Sequence, residues 1–145
     1  MPKQAGLVNV KINAKGLIGA EQRAKELIQE GLSEGIMDAA DVVKEDAANN
    51  IHRVEKRGWS MQDHITTELV ENTPDFVRAK VGPDTKAFWG LFVEFGHALV
   101  KGKGSKRVVV GRVAPHPFLR PALDENGAEI TKIIQKAVNE KLGRE

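Results

Sequence analysis

Glu94 and His97 stand three residues apart, and His116 follows beyond a basic, glycine-rich stretch. Carboxylate and imidazole are proper zinc ligands, and on a helix the first pair shares a face. Such a trio would activate water for hydrolysis. The spacing is not diagnostic, however, and Gly96 would end the helix between the first two. Glu94 has a simpler employment among aromatic neighbours. It would accept from a backbone amide or pair with a base such as Arg120, because a lone buried charge is too costly.

A second candidate is "KGKGSK", Lys101–Lys106. A phosphate-cradling loop needs a glycine, four residues, then Gly-Lys-Ser/Thr, so that amides and lysine converge on the phosphates. With Gly102-Lys103 in place, His97 stands where the first glycine belongs and Gly104 where the hydroxyl belongs. The position between apolar segments fits a hairpin tip better. Nucleophilic catalysis has less support. There is no GxSxG, and the serines are Ser33, Ser60 and Ser105, all expected in breaks or loops. The histidines (His52, His64, His97, His116) are too scattered to nominate a base. No catalytic residue, metal ligand set or cofactor is therefore expected, and the chain is not expected to be an enzyme.

Charge is the more informative signal. The net charge is only +2, yet between Glu94 and Asp124 there is no acid, while Lys101, Lys103, Lys106, Arg107, Arg112 and Arg120 fall there. A field of one sign meets a phosphate backbone or an acidic partner. No aromatic lies between Lys101 and Arg112, so base stacking is not indicated, and contact with nucleic acid would be sequence-independent. A small DNA-binding regulator using Lys101–Arg112 is the alternative function.

These residues need elements to hold them. At 145 residues one domain, 1–145, is expected. The absence of cysteine excludes disulfides and thiolate ligation. No apolar run suits a secretory signal or a membrane span. Leu7–Asn13 alternates, with Val8, Val10 and Ile12 on one side, and predicts a strand broken by Ala14–Gly16. From Leu17 to about Ile51 apolar residues recur every three or four positions, which predicts an amphipathic helix. Unbroken, it would be roughly 50 Å long. Gly31 and Gly35 either permit close helix contact or mark a break, with Ser33 starting a second helix. His64–Val70 and Phe76–Gly82 predict an antiparallel hairpin turning at Glu71–Asp75, with Val77, Ala79 and Val81 on its inner face.

Lys86–Val100 carries Phe88, Trp89, Phe92 and Phe95. Helical spacing predicts a short buried helix ending at Gly96, with a strand as the other reading. Lys101–Arg107 reads as a flexible loop, Val108–Val113 as a strand, and Leu123–Leu142 as an amphipathic helix. The expected fold is α+β: a small antiparallel sheet packed against a long N-terminal helix and a C-terminal helix, with an extended basic loop.

Between these elements, Gly111–Leu123 reads "GRVAPHPFLRPAL". Pro115, Pro117 and Pro121 each fix φ near −65° and push the preceding residue to extended conformations. A stiff entry to the last helix follows, with Pro121 in its first turn. Phe118 and Leu119 are expected to anchor it against the Phe88–Phe95 cluster, with Arg120 reaching Glu94.

Val81–Ala98, "VGPDTKAFWGLFVEFGHA", followed by Ala114–Leu123, "APHPFLRPAL", resembles the tail-component, or head–tail joining, family of lambda-like tailed bacteriophages. The matching elements are Val81-Gly82, then Phe92-Val93-Glu94-Phe95-Gly96, then His116-Pro117-Phe118-Leu119-Arg120-Pro121-Ala122-Leu123. They cover about Gly58 to Leu123. His97 departs from the small hydroxyl residue common at its position, and "RGWSMQDHI" departs from the usual lead-in. The resemblance implies a virion structural protein of the neck or upper tail, assembled in the host cytoplasm. It would form a homo-oligomeric ring, a hexamer or dodecamer, around the DNA channel. Its partners would be the connector or stopper and the tail terminator or tail-tube rings. Non-specific contact with channel DNA, no membrane, and no catalysis are further implications.

Overall fold

The computed structural model describes residues 14–51 and 60–144. The strand expected at Leu7–Asn13 lies outside the described residues, as does all but Ser60 of Val54–Ser60, whose basic residues and glycine suit the end of the long helix.

Helix α1 runs without a break from Ala14 to Asn50, 37 residues, or about 55 Å at 1.5 Å per residue. It begins inside the segment expected to break the chain. Ser33 starts no second helix; its hydroxyl donates to the Glu30 carbonyl at 3.0 Å. Gly31 and Gly35 each cost an unbroken helix about 1 kcal/mol against alanine, and the close packing they allow on the C-terminal helix offsets it. A Cβ on Gly31 would lie 2.6 Å from the Val138 Cα, and one on Gly35 would lie 2.9 Å from the Ile134 Cα. Both glycines are therefore the floor of a helix–helix contact. The pairing of 31 with 138 and 35 with 134 makes that contact antiparallel.

After Ser60, whose hydroxyl accepts from the Gln62 amide, a 3-10 turn (Met61–His64) leads into a hairpin. Strands β1 (Ile65–Thr73) and β2 (Phe76–Pro83) pair antiparallel, from Ile65 opposite Pro83 to Thr73 opposite Phe76, with a bulge between Leu69 and Glu71. Val77, Ala79 and Val81 are half-buried while Arg78 and Lys80 are exposed, as the alternation requires. The hairpin lies on α1, where the Thr67 hydroxyl donates to Asp41 at 3.0 Å.

Helix α2 (Gly90–Phe95) stops at Gly96, whose φ is 69°. A side chain there would be strained, and its Cβ would stand 2.6 Å from the Val113 carbonyl oxygen. Strands β3 (His97–Lys101) and β4 (Val108–Val113) then form a second antiparallel pair. The single expected sheet is thus two separate two-stranded sheets. The expected basic loop is shorter than Lys101–Arg107 suggests, because β3 reaches Lys101 and a 3-10 turn occupies Gly104–Lys106.

The C-terminal helix is divided. Helix α3 (Leu119–Glu125) and helix α4 (Gly127–Lys141) meet at Asn126, whose side-chain amide donates to the Ala122 carbonyl and to Asp46 on α1. Ile130, Ile133, Ile134, Ala137 and Val138 are half-buried along α4, while Leu123 in α3 is exposed and outside that stripe. The core gathers where α1 ends: Val43, Ala47 and Ile51 pack with Met61, Ile65, Ala87, Phe118 and Ala122. The architecture is α+β, as expected.

Candidate functional site

Glu94 is buried, and its carboxylate is fully employed. Oε2 accepts from the amides of Phe118 at 2.7 Å and Leu119 at 2.9 Å, and Oε1 accepts from the Arg120 amide at 3.1 Å. The first amides of a helix have no partner within it, so a carboxylate placed there satisfies them and complements their partial positive charge. Of the two employments open to Glu94, the backbone one is realised. The guanidinium of Arg120 is exposed rather than paired with it; only its backbone amide takes part.

His97 and His116 are exposed, and the His116 amide donates to the Val93 carbonyl at 2.7 Å. The Glu94–His97–His116 trio is not brought together as a ligand set. Among the described residues no group of three or more His, Asp or Glu is placed to hold a metal. His64 is tied to Asp84 at 2.8 Å. The other Asp84 oxygen accepts from the amides of Lys86 and Ala87. The His64 contact, foremost, and those two amides hold the Asp84 carboxyl below the usual carboxylate range. This triangle joins the start of β1 to the turn after β2, and no nucleophile lies in it. His52 lies outside the described residues.

The segment Ala114–Pro117 has no regular secondary structure and is exposed between β4 and α3. Pro117 precedes the anchor, Phe118, which is only 1% exposed, and Pro121 falls in the first turn of α3. The anchor is right but its partners are not those expected. Phe118 belongs to the core cluster at the end of α1, to which the Phe88–Phe95 segment contributes Val93 and none of its aromatic rings. The Phe88–Phe95 segment instead turns its rings outward: Phe88 is 60% and Phe95 67% exposed, with Trp89, Leu91 and Phe92 also exposed. Phe88 stacks edge-on against Trp89 and Phe92, and Phe92 tilts against His97. The physical reason is the shortness of α2. Six residues bury one narrow side, which Gly90, Val93 and Glu94 occupy.

Beyond Gly96 the β3–β4 ribbon carries the basic set. Lys101 ends β3, Lys103 and Lys106 form the tip, Arg107 follows, and Arg112 lies in β4; all are exposed. Sequence reasoning located these cations and placed Lys101–Lys106 at a hairpin tip, but it preferred a helix for the segment that includes β3 and missed the exposure of both strands. The signal available was "VVV" beside "ALV", too short to tell a buried strand from a bare one.

These two surfaces, the outward aromatic group and the basic ribbon, adjoin through Gly96, where Phe92 tilts against His97 at the start of β3. No helix among the described residues is long and apolar enough to cross a membrane. Compared with known protein families, curated proteins and solved structures, the chain matches none.

Proposed function

We propose that the chain is a structural subunit of a phage neck or upper tail, which assembles into a ring at the head–tail interface around the DNA channel. The order Val81-Gly82, Phe92–Gly96 and His116–Leu123, which resembles the head–tail joining family, motivates the reading. The observation that carries it is the pair of adjoining exposed surfaces just described. Exposed Phe88, Phe92 and Phe95 and an exposed, basic ribbon are surfaces that a lone subunit leaves uncovered. The buried Glu94 cap is structural in this reading and has no catalytic part. Localisation in the virion, and the connector and tail rings as neighbours, belong to the same proposal.

Light scattering and negative-stain imaging of the purified protein test it, together with mass spectrometry of purified virions. Rings and virion incorporation are expected. A chain that stays monomeric at high concentration and is absent from virions overturns the reading.

One observation favours a second function. Lys101, Lys103, Lys106, Arg107 and Arg112 are all exposed on one ribbon, which suits phosphate contact by a small DNA-binding regulator. Retention of duplex DNA at low salt, lost on neutralising Lys101, Lys103 and Lys106, is its mark.

A further inference from the structure

The β3–β4 ribbon is weakly supported by the rest of the chain. Its strands pair with each other and touch other described elements only at isolated points. Its surface is nevertheless apolar: Leu99 and Val100 are 44% and 47% exposed, and Val108, Val109 and Val110 are 62%, 63% and 60% exposed. A two-stranded ribbon standing alone is marginal in water. Successive strand residues point to opposite faces, so the paired Val100 and Val109 lie on one face and Val108 on the other, and each face carries bare apolar surface of the kind that marks an interaction site. The charge beside it is of one sign, because no carboxylate lies between Glu94 and Asp124.

The complement lies on the same chain. Glu26, Glu30, Glu34, Asp38, Asp41 and Glu45 are all exposed on α1 and recur every three or four residues. That spacing puts them on one side, away from buried Gly31, Gly35, Ala39 and Val43. Lys44 is the only base between Glu26 and Glu45. Arg23 reaches Glu26 at 3.4 Å and Lys141 reaches Glu34 at 2.7 Å. The negative excess therefore centres on Asp38, Asp41 and Glu45. Apolar surface borders it: exposed Leu69 and Val70 follow Thr67, which donates to Asp41, along β1.

We propose that the β3–β4 ribbon docks on the acidic face of α1 in a second copy of this chain. The apolar ribbon meets the apolar border, and its cations meet the carboxylates. Because the two surfaces differ, every subunit gives one arm and receives one, either reciprocally within a two-fold dimer or head to tail along a ring or filament. The head-to-tail form closes into a ring when its rotation divides a full turn and otherwise grows as a filament. The inference deepens the ring reading and rests on it only for closure.

Charge reversal tests the pairing. One variant carries Lys103→Glu, Lys106→Glu and Arg107→Glu; the other carries Asp38→Lys and Glu45→Lys. Both change exposed side chains. Light scattering at about 0.1 M salt, where opposite surface charges still attract, reads the assembly. The wild-type chain is expected to associate, and each variant alone to lose at least tenfold in association constant with an unchanged circular dichroism spectrum. Mixing the two variants should restore association, since each arm then meets a helix of opposite sign. A wild-type monomer, variants that associate as the wild type does, or a mixture that stays apart overturns the contact. Rings that persist in both variants sink this contact and leave the ring reading standing. Arm-dependent dimers or filaments do the reverse. A wild-type monomer whose arm retains duplex DNA assigns the ribbon to phosphate instead.

Discussion

The Glu94 carboxylate lies 2.7 Å from the Phe118 amide and caps, from a different element, the helix that Phe118 begins. Phe118 supplies no side-chain cap of its own, and Phe, Leu and Arg offer none to the first turn. A distant carboxylate therefore does locally what Ser or Asp usually does, and it fixes α2 to α3 at the same time.

Glu94→Ala should be strongly destabilising. It strands the Phe118 amide in a buried site and deprives two part-buried amides. An unsatisfied buried donor costs about 1–3 kcal/mol. A total loss of about 3 kcal/mol and a fall in Tm of about 10 °C are expected for a chain of this size. Glu94→Gln should be intermediate, because its Nε2 group would confront an amide donor. Thermal melts followed by circular dichroism read both. A wild-type melt for Glu94→Ala would show that the cap is dispensable.

Phe118→Ala removes a ring only 1% exposed at the junction of α1 and α3. Truncating a buried Phe costs about 3–5 kcal/mol. Arg120→Glu, by contrast, alters an exposed side chain whose guanidinium does not hold Glu94. It should leave the melt nearly unchanged. Denaturant titration of the pair tests this: equal destabilisation by both substitutions would place the Arg120 side chain in the joint after all.

Much of this architecture was legible in periodicity. The three-and-four spacing of α1, the alternation of Phe76–Gly82 and the stripe on α4 each express a face that other elements of the chain bury. The proline-rich joint was legible too, because Pro117 and Pro121 restrict the backbone whatever they touch. What escaped was partnership. Four aromatics at helical spacing read as core, yet α2 is too short to bury more than one side. The spacing of Phe88, Phe92 and Phe95 is the same whether the face meets this chain or another. Glu94 was open to two employments because a carboxylate accepts equally from an amide or a guanidinium. Only the arrival of Phe118–Arg120 at its oxygens decides between them.

The two α1 glycines at the α4 contact predict a reversal of the usual helix rule. Alanine in a helix is favoured over glycine by about 1 kcal/mol. At Gly19 a Cβ would meet nothing within 4 Å, so Gly19→Ala should stabilise by up to that amount. At Gly31 and Gly35 the Cβ would press on the α4 backbone at 2.6 and 2.9 Å. Forcing the helices apart costs about 1–3 kcal/mol and outweighs the propensity gain. Opposite signs at Gly19 and Gly31 in urea titrations are expected; a stabilised Gly31→Ala would mean that α4 moves away freely.

The Asp84–His64 contact gives stability a pH dependence of definite sign. Asp84 is held below the usual carboxylate range, chiefly by His64. A carboxylate whose folded pKa is depressed adds stability above its unfolded value, about 3.9, and loses it as pH falls through the folded value. Asp84→Asn keeps an oxygen for the Lys86 and Ala87 amides but gives up the charge that favours His64. It should melt below the wild type at neutral pH, and the gap should narrow as pH falls below the unfolded value and close once pH passes the depressed folded value, where the wild-type carboxylate also takes up a proton. Melts of both chains across that range check it. A gap that persists undiminished at the acid end would assign the loss to capping geometry, because capping by a neutral oxygen does not titrate.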